Sequence, residues 1–313
     1  MEETNKERFK RCIREIIPST TKTCIWIIKI TVGVSFAMML LKYFNILPYI
    51  SDFISPVFSI FGLPGSTALA FVSGYCVNVY SAIAVMTSLD LDWRAITILS
   101  TMVMAAHSMF LETPVLKKTG VSGVRMVAVR TLSAFVLGVG LNLVLPGEAT
   151  LDASAAAVAE RGAFLPQLGA WALSTLKLVV MMICIIYALN VLQRVLQEFG
   201  IIDKIAKVFK PLMKVFGLPE GTVFLWIVAN VIGLGYGAAA ILDSLSRNTL
   251  SERDVKLLDS HICISHSNLE DLILLSATGA VWWILLLSRW LMAIILVWEQ
   301  RLEFYISDKF SKK

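Results

Sequence analysis

The sequence predicts an all-α, polytopic membrane protein made of two inverted-topology repeats, each with an interfacial amphipathic helix, a re-entrant helical hairpin and about three spanning helices. Composition is the first reason. Of 313 residues, 57% are hydrophobic and only 16% charged, with a mean hydropathy of +0.74, outside the range of a soluble domain. Apolar runs at 23–41, 96–111, 134–145 (with an apolar lead-in from Val127), 173–192, 222–242 and 281–297 include several long enough to cross a hydrocarbon core about 30 Å thick. The second reason is a duplication. Residues 44–64 align without a gap on 199–219, with 8 of 21 positions identical, among them Pro56/Pro211 and the closing Phe-Gly-Leu-Pro. The third is charge. The second copy carries Lys204, Lys207, Lys210 and Lys214, and the first carries no Lys or Arg. Lys and Arg collect in short cytoplasmic segments, so the two copies belong on opposite faces of the bilayer, as in the inverted repeats of several solute transporters.

The elements follow in order. Residues 1–22 form a basic, cytoplasmic N-terminus (Lys6, Arg8, Lys10, Arg11, Arg14, Lys22). The run after it is too long, and lacks the small-residue cleavage site, for a removable signal peptide; it reads as a retained helix. The first repeat occupies 23–145, and its loop at 114–125, with Lys117, Lys118 and Arg125, lies inside. The loop 146–165, with Glu148, Asp152, Glu160 and Arg161, is extracytoplasmic. The second repeat occupies 166–305. Its segment 199–219 places Ile201, Ile202, Ile205, Val208, Phe209, Leu212 and Phe216 at helical spacing opposite the lysines, a pattern that lies in the headgroup plane. The uncharged link 276–280 is outside and the tail 306–313 is cytoplasmic. The whole is a multi-pass protein of a bacterial cytoplasmic (inner) membrane with both termini in the cytoplasm.

These sides require an odd number of net crossings per half, yet each half holds four apolar segments besides its interfacial one. One segment per half therefore enters and leaves on the same side. Segments 66–86 and 222–242 are broken near their middles, at Gly74 in one and at Gly233, Gly235 and Gly237 in the other. Glycine relaxes backbone restriction and weakens a continuous helix, so these four are assigned to hairpin turns. The alternative is a plain spanning helix with packing glycines.

Each broken segment is followed by an apolar stretch with one polar cluster: His107-Ser108 through Glu112, and His266-Ser267-Asn268 through Glu270 and Asp271. On a continuous helix His266 and Glu270 share a face. Ionisable groups inside a span are costly and point to function; the bland alternative is a buried pair that pins helices together. Asn78, Ser81 and Tyr236 add uncharged hydrogen-bonding groups. Lys29 and Arg130 are expected to snorkel toward an interface, whereas Lys177 and Arg289 lie deeper and neutralise the carboxylates. His261, Cys263, His266 and Glu270 form an alternative metal-ligating set. The chain has no P-loop, Rossmann glycine pattern, HExxH or GxSxG, so it is not read as an enzyme. Its five scattered cysteines form no disulfide framework, and its net charge of +5 needs no nucleic-acid partner to explain it.

The chain resembles the Gate, or nucleoside recognition, domain family of bacterial membrane proteins. The resemblance rests on Gly62-Leu63-Pro64 leading into Asn78-Val79-Tyr80-Ser81-Ala82-Ile83, then His107-Ser108 and Glu112. It is repeated more loosely by Gly217-Leu218-Pro219, Gly235-Tyr236-Gly237-Ala238-Ala239 and His266-Ser267 with Glu270. Similar domains occur in spore maturation proteins A and B and in the membrane part of ferrous-iron transporters, and the re-entrant architecture is similar to that of concentrative nucleoside transporters. Ser108 and Phe110 stand where family members often have Asn and Pro. The resulting expectation is a transporter or transporter-like protein that moves a small polar solute about a midplane site. That site comprises Asn78, Ser81, His107, Ser108, Glu112, Tyr236, His266, Ser267, Asn268, Glu270 and Asp271, with no cofactor and with H+ or Na+ as coupling ion. Its partners are the lipid bilayer and the solute, with homo-oligomerisation left open. A divalent-metal carrier and a non-transporting partner in envelope or spore assembly are the alternatives.

Overall fold

The computed structural model describes residues 3–147 and 163–310; Glu148, Asp152, Glu160 and Arg161, of the loop expected to be extracytoplasmic, and the terminal Lys312 and Lys313 lie outside the described residues. The described residues form fourteen α-helices and no strand. Five stretches are long and apolar enough to cross a membrane: Asn5–Tyr43, Trp93–Lys117, Gly123–Val144, Phe164–Glu198 and Trp282–Phe310.

Helix α1 (Asn5–Tyr43) starts at a capping box between Thr4 and Glu7 and packs along α8 (Phe164–Glu198). After each comes a shorter helix, α2 (Leu47–Phe58) and α9 (Ile201–Phe216). The duplicated Phe-Gly-Leu-Pro now has a physical meaning. Gly62 and Gly217 adopt φ of 64° and 71°, the left-handed geometry that ends a helix and that glycine takes without a Cβ penalty. On α9, Ile202, Ala206, Met213 and Phe216 are buried while all four lysines are exposed. Val208, at the edge of the apolar face, is exposed as well.

Helices α3 (Thr67–Cys76) and α4 (Val79–Met86) fold back on each other, as do α10 (Val223–Val231) and α11 (Leu234–Ser246). A Cβ on Gly74 would lie 3.0 Å from that of Ala82, and one on Gly237 would lie 2.7 Å from that of Ala229. On a continuous helix residues eight apart are separated by about 12 Å. The chain reverses at Val77–Asn78, where the Asn78 side chain accepts from Ser81 N at 2.9 Å, and at Gly233, with φ of 118°. Of the four glycines assigned to turns, only Gly233 stands at one. Gly74 and Gly237 lie within helices, where their missing side chains permit close packing. Gly235 also lies within α11, with open space where a Cβ would point.

The last three helices of each half are α5 (Trp93–Ala106), α6 (Met109–Lys117) and α7 (Gly123–Val144), then α12 (Glu252–Ile262), α13 (Asn268–Ser276) and α14 (Trp282–Phe310). Asp92 and Ser251 cap α5 and α12. Thr97, near the start of α5, accepts from Val281 N just past α13 at 3.1 Å. Thr119, just past α6, donates to Asp259 of α12 at 2.7 Å. The α5–α6 pair therefore runs antiparallel to the α12–α13 pair.

Candidate functional site

Between α5 and α6, and between α12 and α13, the helix is interrupted at a His-Ser pair. Ser108 and Ser267 sit at φ of 51° and 50°, a left-handed conformation rare outside glycine. The interruption leaves carbonyls without helical partners, and one arginine in each half supplies them. Arg130 of α7 donates through Nε to Ala105 O at 3.1 Å and through Nη2 to His107 O at 2.8 Å. Arg289 of α14 donates to Ile264 O at 2.7 Å and to His266 O at 3.0 Å. The planar guanidinium fork reaches two carbonyls at once, which an ammonium does not do with fixed geometry. Each break is also tied to the helical pair of its own half: Ser108 N donates to Gly74 O and Ser267 N to Ala229 O, both at 2.9 Å. Arg130 thus does not snorkel; it is fully buried.

The same interruptions aim both histidines inward. Nδ1 of His107 lies 3.1 Å from Met104 O, and Nδ1 of His266 lies 2.6 Å from Ile262 O. A carbonyl only accepts, so each Nδ1 carries the hydrogen and each Nε2 is left facing the centre. There the two rings are 5.3 Å apart, with Nε2 of His107 3.2 Å from Glu112 Oε1 and Nε2 of His266 3.2 Å from Glu112 Oε2. Arg130 Nη2 approaches Glu112 Oε2 at 2.8 Å, and Asp271 Oδ2 lies 3.8 Å from His107 Nε2 and 4.0 Å from Arg289 Nη1. Arg289 also donates to Asn268 Oδ1 at 2.7 Å, and Asn268 donates to Asn230 at 2.6 Å.

Electrostatics constrain what this centre holds. Two guanidinium charges balance Glu112 and Asp271. The Nε2 atom of a neutral histidine is a lone pair, and here each lone pair faces a carboxylate oxygen. Two acceptors in contact repel unless a proton or another cation lies between them. The centre is therefore built to take up positive charge. It also holds buried polar atoms with no hydrogen-bond partner, the donor Arg130 Nη1 and the acceptors His266 Nε2 and Asp271 Oδ2 among them, and such groups are costly unless something satisfies them.

His107, Glu112, His266, Asn268 and Asp271 come together, with Ser108 and Ser267 at the breaks. Asn78 and Ser81 are buried in the tip of the α3–α4 pair and bond to each other. Tyr236 is 66% exposed and is not part of the centre. Glu270 is not the counterpart of Glu112. It takes the hydroxyl of Tyr80, and Asp271, five residues after His266 as Glu112 is after His107, occupies the matching place. The i,i+4 argument fails because Ser267 interrupts the helix on which it relied. The metal set His261, Cys263, His266 and Glu270 is not gathered either. His261 accepts from Trp226 Nε1 at 3.2 Å and Cys263 turns to Ser260 O. Among the described residues, the donor atoms that converge are those of His107, Glu112 and His266, all within 4.8 Å of one another. Sequence reasoning missed Tyr80 and Asn230, and it missed the stapling role of both arginines. The arginines left a readable signal: each lies 23 residues after its histidine.

No family model matches the chain, and no solved structure matches it. Over 272 residues it is 28% identical to the uncharacterized membrane protein YvoD of Bacillus subtilis (strain 168), a span covering 86% of this chain and 87% of that one. With five apolar helical stretches of membrane-crossing length among the described residues, that similarity makes this chain a multi-helix membrane protein in contact with the lipid bilayer.

Proposed function

We infer that the protein is a transporter of the Gate type, in a bacterial cytoplasmic membrane with both termini inside, that moves a small polar solute by alternating access about the His107–Glu112–His266 centre. One observation carries this reading: two histidines from separate halves of the chain meet on one buried carboxylate, among donors and acceptors that have no protein partner. Intramembrane ionisable groups of this kind mark solute and ion pathways. Interrupted helices around a central site, with inverted repeats moving against each other, are the usual architecture of such carriers. The matched element order of the two halves, the antiparallel course of α5–α6 and α12–α13, and the folded-back α3–α4 and α10–α11 pairs support inverted repeats with re-entrant hairpins. A coupling H+ or Na+ would supply the cation that the facing Nε2 and carboxylate atoms require.

The convergence of two imidazoles and a carboxylate within 4.8 Å favours a second reading, a divalent-metal carrier. Arg130, 2.8 Å from the same carboxylate, repels a metal ion, so the polar-solute reading stands first. A thermal-shift screen of purified protein against nucleosides, organic acids and divalent metals separates the two, because a ligand at a hundred times its Kd stabilises the folded state by about 2.7 kcal/mol. For a solute so identified, His107→Ala with His266→Ala abolishes uptake at unchanged membrane abundance. Wild-type uptake by the double variant removes the proposed centre.

A further inference from the structure

Helices α4 and α13, from opposite halves, are joined by a side-chain contact near their starts. The Tyr80 hydroxyl, in the first turn of α4, donates to Glu270 in the first turn of α13. Seven residues further along each, Thr87 and Ala277 line a common cleft of about 390 Å³ with Met86, Ser174, Lys177 and Thr278. The two helices therefore run in the same direction, and a seam about 10 Å long, seven residues of helical rise, leads from the cleft to the Tyr80–Glu270 contact. Ala84 and Leu274, four residues past Tyr80 and Glu270 and so on the same helix faces as they are, are buried at 1% and 0% exposure. Asp271 of the buried centre is the next residue after Glu270.

The equivalent seam in the other half is built differently. There α11 packs against α6. The residue two after the hairpin break, where the first half has Tyr80, is Gly235, with open space where a Cβ would point. The residue three after the left-handed serine, where α13 has Glu270, is Leu111, 53% exposed. One seam is latched by a hydrogen bond to a carboxylate, and the other has no polar group at either position. By the distribution of loop charge, the latched seam faces outward.

We propose that the cleft is the outer entry site for a small anionic solute and that the Tyr80–Glu270 hydrogen bond latches the passage from it to the centre. The charge preference comes from Lys177, the one charged residue among the described residues that line the cleft; it is exposed and forms no ion pair with any described residue. A lone cation in a cleft with low-dielectric walls raises the local concentration of anions. The proposal rests on the transport reading above.

The test uses full-length protein in intact cells, with exposed Cys76 and Cys184 replaced by serine and membrane-impermeant methanethiosulfonates added outside. Leu274→Cys is expected to be protected in the otherwise unaltered chain and to react about tenfold faster or more when Tyr80→Phe or Glu270→Leu removes the latch, the change expected for losing one hydrogen bond to a charged group. Two latch variants are used so that a folding failure of one leaves the other readable. Thr278→Cys, in the cleft itself, is expected to react faster with the anionic reagent than with the cationic one, and Lys177→Gln is expected to abolish that preference. Unchanged Leu274→Cys labelling in both latch variants overturns the latch, and a cationic preference at Thr278→Cys overturns the anionic site. Uptake is not read here. Faster labelling in a chain for which no solute is ever found leaves the seam standing without transport, and unchanged labelling in a chain that transports removes the seam alone.

Discussion

Arg130 and Arg289 perform the same task in opposite halves: each reaches from the last helix of its half to the two carbonyls exposed by a broken helix, including that of the active-centre histidine. Both are fully buried, so each is a charge whose removal strands an acid as well as two carbonyls. Breaking a buried pair by deleting one partner costs about 3–5 kcal/mol. Arg289→Ala and Arg130→Ala are expected to lower the unfolding midpoint of detergent-purified protein sharply, and Arg→Lys to recover little of the loss. Full recovery by lysine would show that charge alone matters and that the fork does not.

The serines at the breaks carry a backbone cost. A left-handed conformation costs an L-residue roughly 1–2 kcal/mol that glycine does not bear. Ser267→Gly is therefore expected to hold or raise the melting temperature, and Ser267→Val to lower it, with Ser108 behaving alike. Destabilisation by the glycine variant would mean that the hydroxyl does more than occupy the turn.

The all-α, multi-helix class was legible in the sequence from its apolar runs, and the like ends of α2 and α9 from the duplication. Gly62 and Gly217 recur because the same left-handed cap stands at the end of both segments, 44–64 and 199–219. The His107 and His266 pair was legible for the same reason. What was not legible depended on local backbone geometry. Glu270 was favoured over Asp271 because four-residue spacing was counted along a helix that Ser267 interrupts. Tyr236 was favoured because it neighbours Gly235 and Gly237, although its place on α11 turns it outward. Arg130 was assigned to an interface because an unpaired arginine in an apolar run belongs there; its partners, Glu112 and two carbonyls, come from elsewhere in the fold.

The start of α1 and the end of α8 are joined by charge. Arg8 and Arg11 bond Glu198 at 3.1 and 2.7 Å, and Arg194 bonds Glu15 at 2.8 Å. The hydrogen bond from Arg8 leads in holding the Glu198 carboxyl below its ordinary range, and that from Arg194 does the same for Glu15. A carboxylate whose folded-state pKa is depressed contributes stability above its unfolded value, about 4.3 for Glu, and loses it as pH falls through the folded value. The melting temperature is expected to fall on acidification below about pH 4, and less steeply in Glu198→Gln. Equal slopes would show that the network contributes nothing to folding. High salt is expected to flatten both.

The account stands on two halves threaded through the bilayer in opposite senses, and the duplicated helices report on that directly. Asp52 of α2 and Lys207 of α9 are polar and exposed, so a cysteine at either sits on the water-facing side of its helix. With Cys76 and Cys184 replaced by serine, an impermeant thiol reagent applied to intact cells is predicted to label Asp52→Cys at once and Lys207→Cys only after permeabilisation. Labelling of both from the same side would contradict the inverted arrangement and, with it, the meeting of His107 and His266 at a shared centre.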